Sequence, residues 1–125
     1  STVPFIVYLI AEGDEAGHLD QIVLNAEVAD ANTGANVELV APTAGLIKRV
    51  LVGTTANATG GAATYTTAIN NVNVTDGVVT IAQNTKSGMT TPTALNAVAA
   101  GDVIKVTYTA LGTAGKAAIS ILIER

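Results

Sequence analysis

The chain has 125 residues; 49% are hydrophobic, only 3% aromatic and 13% charged, and the formal net charge is −4. That length suits one domain around a single core, and the weak acidity argues against a nucleic-acid surface, which needs clustered Lys and Arg. No apolar run reaches the ~20 residues of a membrane-spanning helix, and without cysteine there is neither a disulfide framework nor a thiolate metal site, which fits assembly in a reducing cytoplasm.

Thr2–Ala11 reads as a hydrophobic first strand. Pro4 cannot donate to a ladder, so residues 1–11 form an N-terminal arm or an edge strand. A bare apolar edge invites aggregation, so this strand must be covered by its own fold or by another chain. Glu12–Asp20 is the one acidic loop, and Ser1 reads as a start after Met removal, with no leader ahead of it.

Gln21–Val28 follows, with Ile22, Leu24, Ala26 and Val28 on one face. Asp30–Gly34 is a turn, Asn36–Val40 a short strand, Ala41–Gly45 a turn and Gly45–Thr54 a strand carrying the basic pair Lys48-Arg49 at a solvent edge. Thr55–Ala62 is a small, polar loop; Ala63–Ile69 places Tyr65, Thr67 and Ile69 on one face. Asn70-Asn71 suits a two-residue turn into Val72–Thr75, and Asp76-Gly77 carries the strongest hairpin signal, leading to Val78–Ala82. Gln83–Ala94 is a long polar crossover, and Leu95–Ala100 has room for one helical turn.

Val103–Thr109 and Lys116–Glu124 alternate cleanly. Ile104, Val106 and Tyr108 share one face of the first; Ala117, Ile119, Ile121 and Ile123 share one face of the second. With Ala110–Gly115 between them they read as an antiparallel hairpin whose apolar side needs a covering sheet. The whole is all-β: an antiparallel β-sandwich of about eight or nine short strands, one domain over 1–125, with crossovers favouring jelly-roll-like wiring. Rings bury the largest areas, so a core this poor in them should draw part of its stability from neighbouring copies.

Little here carries chemistry. His18 is the single histidine, and its spacing to Asp14, Glu15 and Asp20 matches no metal motif. No serine has a positioned base or an elbow motif, and Gly60-Gly61 lacks the lysine of a phosphate loop. Asp30, Asp76 and Asp102 fall at turns, where they read as turn formers. Hence no catalytic, cofactor-binding or metal residues are expected, and no enzyme.

The run Ile69–Ala82, then Thr91–Ile104, then a closing strand ending Ile123-Glu-Arg125, with Pro42–Val50 as a turn entering a strand, resembles small decoration (head-stabilising, cement) proteins of tailed bacteriophage capsids. The likeness covers residues 40–125. It implies a jelly-roll-like sandwich, trimeric, bound to the major capsid protein on the outer surface of the head and assembled in the host cytoplasm, with no catalytic residues to carry over. The arm Val3, Pro4, Phe5, Ile6, Val7 and Tyr8 is then the candidate capsid or subunit contact. The competing reading is a phage fibre or spike domain that binds a host receptor or glycan through Thr/Asn/Gly loops; exposed aromatics would favour it and a buried Tyr65 and Tyr108 would count against it.

Overall fold

The computed structural model describes residues 6–11, as backbone, and residues 21–125. Ten strands run in chain order: β1 (Ile6–Ala11), β2 (Gln21–Val28), β3 (Ala35–Val40), β4 (Gly45–Thr54), β5 (Ala63–Ile69), β6 (Val72–Ile81), β7 (Ser87–Thr90), β8 (Ala97–Val98), β9 (Val103–Tyr108) and β10 (Ala117–Glu124). No helix occurs among the described residues. Every strand pairing is antiparallel.

One sheet has the order β1-β2-β10-β4-β7, with the two-residue β8 also paired to β4; the other has the order β3-β9-β5-β6. Four connections cross from sheet to sheet at one end of the sandwich. In space they lie in the order β2–β3, β9–β10, β4–β5, β6–β7, because β2, β10, β4 and β7 neighbour one another above β3, β9, β5 and β6. That nesting is jelly-roll wiring, and β1 is an extra strand on the edge of β2.

The alternation expected from the sequence sets the core. Ile22, Leu24, Ala26 and Val28 of β2 and Ala117, Ile119, Ile121 and Ile123 of β10 are buried against Val37 and Leu39 of β3 and Ile104, Val106 and Tyr108 of β9. Within β4 the phase breaks: Ile47 and Val50 are both buried, and the pairing with β10 slips between Leu122 and Ile123. Lys48 is the extra residue of this bulge, so it and Arg49 both face solvent.

Three expectations are corrected. Val103–Tyr108 and Ala117–Glu124 do not form a hairpin; they lie in opposite sheets as two walls of the core. Alternation says that one face is buried but not in which sheet, and the eight residues 109–116 are enough to cross the ~10 Å between sheets. Asp76-Gly77 is not a turn between strands. It sits inside β6, both halves of which pair with β5. Asp76 does take the positive φ (57°) that its sequence signals, and spends it on a bulge. Leu95–Ala100 is not helical: Leu95 is a bend, and Ala97 and Val98 form a two-residue strand that pairs with Leu46 and Gly45. The neighbouring Asn96 holds Ile47 twice, its carbonyl accepting from the Ile47 amide at 2.9 Å and its side-chain amide donating to the Ile47 carbonyl at 2.7 Å. The polar crossover also contains β7, an edge strand on β4. Asn70-Asn71, by contrast, is the expected tight turn, with φ of 49° and 70°.

At the end where the four connections lie side by side, each is stitched to the next. Ala31 N–H donates to Gly115 O and Leu111 N–H to Ala31 O; Thr59 N–H donates to Leu111 O and Thr55 N–H to Lys116 O; Ala58 N–H donates to Thr85 O and Asn84 N–H to Ala58 O. Ala31, Leu111 and Ala58 are fully buried, one from each of the first three connections. Together they plug that end of the core.

Candidate functional surface

Of the expected contact arm, Val3, Pro4 and Phe5 lie outside the described residues, as do Asp14, Glu15, His18 and Asp20. Ile6, Val7 and Tyr8 belong to β1, in register with Ala26, Asn25 and Leu24 of the same chain. The arm's described part is therefore an edge strand of its own sandwich.

The three described aspartates each hold a loop or a bulge in place. Asp30 accepts from the Asn32 amide and the Thr33 hydroxyl, both at 3.0 Å. The Asp76 carboxylate accepts from the Thr93 hydroxyl while its carbonyl accepts from the Thr90 hydroxyl, tying the β6 bulge to the crossover. Asp102 accepts from the Ala99 amide at 2.8 Å. That bond, then one from the Asn70 side chain, holds its carboxyl below the usual aspartate range. No group of three or more His, Cys, Asp or Glu close enough to hold a metal ion occurs among the described residues.

The two aromatic rings of the core are not available as a binding platform. Tyr65 and Tyr108 are buried and stack at 5.4 Å between centroids with 19° between planes. Burial, and secondarily Tyr108, pushes the Tyr65 hydroxyl up to about 12. Burial, and secondarily the Asp30 charge, raises that of Tyr108.

Both broad faces mix polar and apolar side chains, and the larger apolar ones, leucine and methionine, are on the six-stranded sheet. The four-stranded sheet turns Thr64, Thr66, Thr80, Thr107 and Lys105 outward, together with exposed Val78 opposite Thr66 and exposed Val40 and Val72. On the six-stranded sheet, exposed Leu51 is opposite exposed Met89 of β7 on one side and Ser120 of β10 on the other. Ser120 donates to the Asn25 side chain at 2.7 Å, so these two polar groups satisfy each other, and Gln21, Glu27 and Glu124 stand on the same face, Glu124 opposite Leu46. Half-buried Leu122 and Val23 continue the strip across β10 and β2, opposite each other. Towards β8, Leu46 is opposite Ala97 and 41% exposed, and Leu95 just beyond is 64% exposed. Between Leu46 and Leu51 stand Lys48 and Arg49.

This apolar and basic patch was not singled out from the sequence. Leu46 and Leu51 fall out of phase with one another across the bulge at Lys48, and Met89 and Leu95 lie in a stretch whose composition reads as loop. The available signal was that Leu46 and Leu51 each stand beside a better core candidate, Ile47 and Val50 or Val52.

No family model matches the chain, and no curated protein matches it. Among solved structures it is similar to the catalytic domain of a GH87 alpha-1,3-glucanase in complex with tetrasaccharides, at 13% identity and a TM-score of 0.44, over 81% of this chain and 21% of that one. It is also similar to a carbohydrate-binding module, CBM36 in complex with calcium and xylotriose, at 16% identity and TM-score 0.37, over 98% and 93% of the two chains. A third is CsCBM6-3 from Clostridium stercorarium in complex with cellobiose, at 11% identity and TM-score 0.37, over 94% and 80%. The chain spans about a fifth of the glucanase's length. Likenesses at these scores carry no argument about what this chain binds or does.

Proposed function

We propose that this chain is a structural binding protein and not an enzyme: a capsid decoration protein that sits on the outer surface of a phage head as a trimer and links neighbouring major capsid subunits. The observation that carries the reading is the strip of apolar side chains left at the surface of the six-stranded sheet, Leu46, Leu51 and Met89 with half-buried Leu122 and Val23, while Asp30, Asp76 and Asp102 are committed to holding loops and a bulge. A β-sandwich with such a face is built to lie against another protein. The resemblance of residues 40–125 to decoration proteins supplies the partner, and jelly-roll wiring agrees with what it implies.

The test is binding to undecorated phage heads, read as copies per particle and as the temperature at which the heads release DNA. Saturable binding and a raised release temperature support the reading; no binding at any concentration overturns it. Deleting residues 1–10 separates the arm from the rest: lost occupancy makes the arm the clamp, and unchanged occupancy removes it from the contact. Among the described side chains the aromatic ones are Tyr65 and Tyr108, both buried, and they offer the fibre or spike reading no platform. Glycan binding by the intact chain would revive it.

A further inference from the structure

We propose that β1 is an exchanged strand: in the assembled protein the edge of β2 in each copy is occupied by β1 of the next copy, which makes there the same ladder that it makes within one chain. The inference deepens the oligomeric part of the reading above and does not rest on capsid binding.

β2 is a strand built to be covered. It is eight residues long, carries neither proline nor lysine, and runs without a bulge along β10. Its one charge, Glu27, stands past the pair of Ile6 with Ala26. Short length, proline, charge and bulges are the devices by which a free edge avoids pairing with another chain. β7, at the far edge of the same sheet, uses the first of them, with four residues. The ladder itself fixes what covers β2. Six residues of β1 pair in register, from Ile6 with Ala26 to Ala11 with Gln21, and β1 pairs with no other strand. The four-stranded sheet ends at β3, which lies against β2, so β1 has no strand of the other sheet to face. The ladder that holds β1 is therefore the edge of β2 alone, and the β1 of any copy completes it equally well.

The length of the connection decides which copy supplies the strand. Nine residues, 12–20, join β1 to β2, although Ala11 and Gln21 are already paired neighbours. A hairpin needs about two to five, and this chain closes its β5–β6 hairpin with two, Asn70 and Asn71. Nine residues reach up to ~30 Å when extended, far enough to hand β1 to an adjoining copy. Four of the chain's ten acids fall in that run, Glu12, Asp14, Glu15 and Asp20, with one histidine and neither lysine nor arginine. Like charges crowded into a closed loop repel, and an extended linker separates them. Exchange keeps every bond of the β1–β2 ladder and relieves that repulsion. Each copy gives β1 and receives on β2, so unlike elements meet, the heterologous contact that makes a ring where the rotation closes; three copies make a trimer.

The chain has no cysteine, so an introduced disulfide can report the pairing. Leu9 and Val23 are register partners, and paired Cα atoms of antiparallel strands lie within disulfide range. Leu9→Cys combined with Val23→Cys, oxidised and run under denaturing conditions without reductant, should give covalently joined oligomers that reduction returns to single chains. Covalently closed single chains overturn the inference. A second variant needs no thiol: residues 12–20 are replaced by Asn-Gly, a turn too short to reach another copy. Light scattering should find the full wild-type chain as an oligomer of one size and the short-turn variant as a single chain, with melting curves checking that the variant folds. A wild type that stays monomeric up to millimolar concentration overturns the inference, and so does a short-turn variant that keeps the wild-type mass. Occupancy on phage heads is scored separately: exchanged rings that ignore heads sink the capsid reading alone, and unexchanged chains that coat heads sink this inference alone.

Discussion

Tyr65 shows how much a single buried atom can report. Its hydroxyl and that of Thr67, two residues on along the inner face of β5, are buried without a hydrogen-bond partner. A hydroxyl without a partner costs the fold its desolvation, on the order of 1–3 kcal/mol. Tyr65→Phe keeps the ring that stacks on Tyr108 and removes the orphan, so denaturant unfolding should find the variant as stable as the wild type or up to ~2 kcal/mol more so. Tyr65→Ala, which also leaves a cavity, should lose ~3–5 kcal/mol. The same burial makes a pH prediction. The folded hydroxyl titrates near 12 against 10 for a free tyrosine, so the native state keeps a proton that the unfolded chain releases. Its stabilising effect is complete below pH 10 and is lost as pH rises towards 12, by about 1.4 kcal/mol for each unit between. Tyr65→Phe should flatten that part of the alkaline slope; an unchanged slope would assign it elsewhere. Glycines at two positions make a matched pair. Gly112 has φ 92°, and a Cβ there would run into the Thr59 backbone, whereas nothing lies within 4 Å of a Cβ on Gly53. Gly112→Ala should cost at least ~2 kcal/mol, and Gly53→Ala should stay within ~0.5 kcal/mol, both read from thermal or urea unfolding.

Among the elements, the unusual ones are the connections. Four loops normally mean four mobile segments, but here backbone bonds between neighbouring connections carry the two sheets into each other. Amide exchange should therefore find Ala31, Ala58, Thr59 and Leu111 protected almost as well as strand amides, while Gly60 and Gly61, exposed or half-exposed at the tip, exchange fast. Leu111→Ala, in a loop, should cost a core-like ~2–5 kcal/mol because the side chain is fully buried; a loss below 1 kcal/mol would mean that the loop end is not part of the core. None of this stitching was legible in the sequence. What was legible came from period two: Ile22 to Val28, Ile104 to Tyr108 and Ala117 to Ile123 bury the residues their alternation assigns. Alternation is a local property, set by pleat and burial. Which strand sits beside which is a long-range property, set by how loops nest, and there the adjacent strands β9 and β10 were misread as partners. Asp76-Gly77 failed for a related reason. The pair demands a positive φ, and a bulge meets the demand as well as a turn does; only pairing of both flanks with β5 tells them apart. The β4 patch was hidden by the bulge at Lys48, which breaks the period that a reader of the sequence follows.

For the molecule as a whole, a core poor in aromatic side chains has to find part of its stability elsewhere. Apolar area left outside the core, Leu46, Leu51, Met89 and Leu95 above all, stabilises nothing until a partner covers it. A partner that binds only the folded chain then adds to folding stability by mass action, by roughly 2.7 kcal/mol when its concentration is a hundred times the dissociation constant. If a second copy is that partner, the melting temperature climbs with protein concentration. Leu51→Asp places a charge in the middle of the strip without touching the core, so it should melt at one temperature at every concentration, matching dilute wild type. If wild type and Leu51→Asp melt alike from dilute to concentrated solution, the face is not covered by a second copy, and the missing stability has to come from within the sandwich itself.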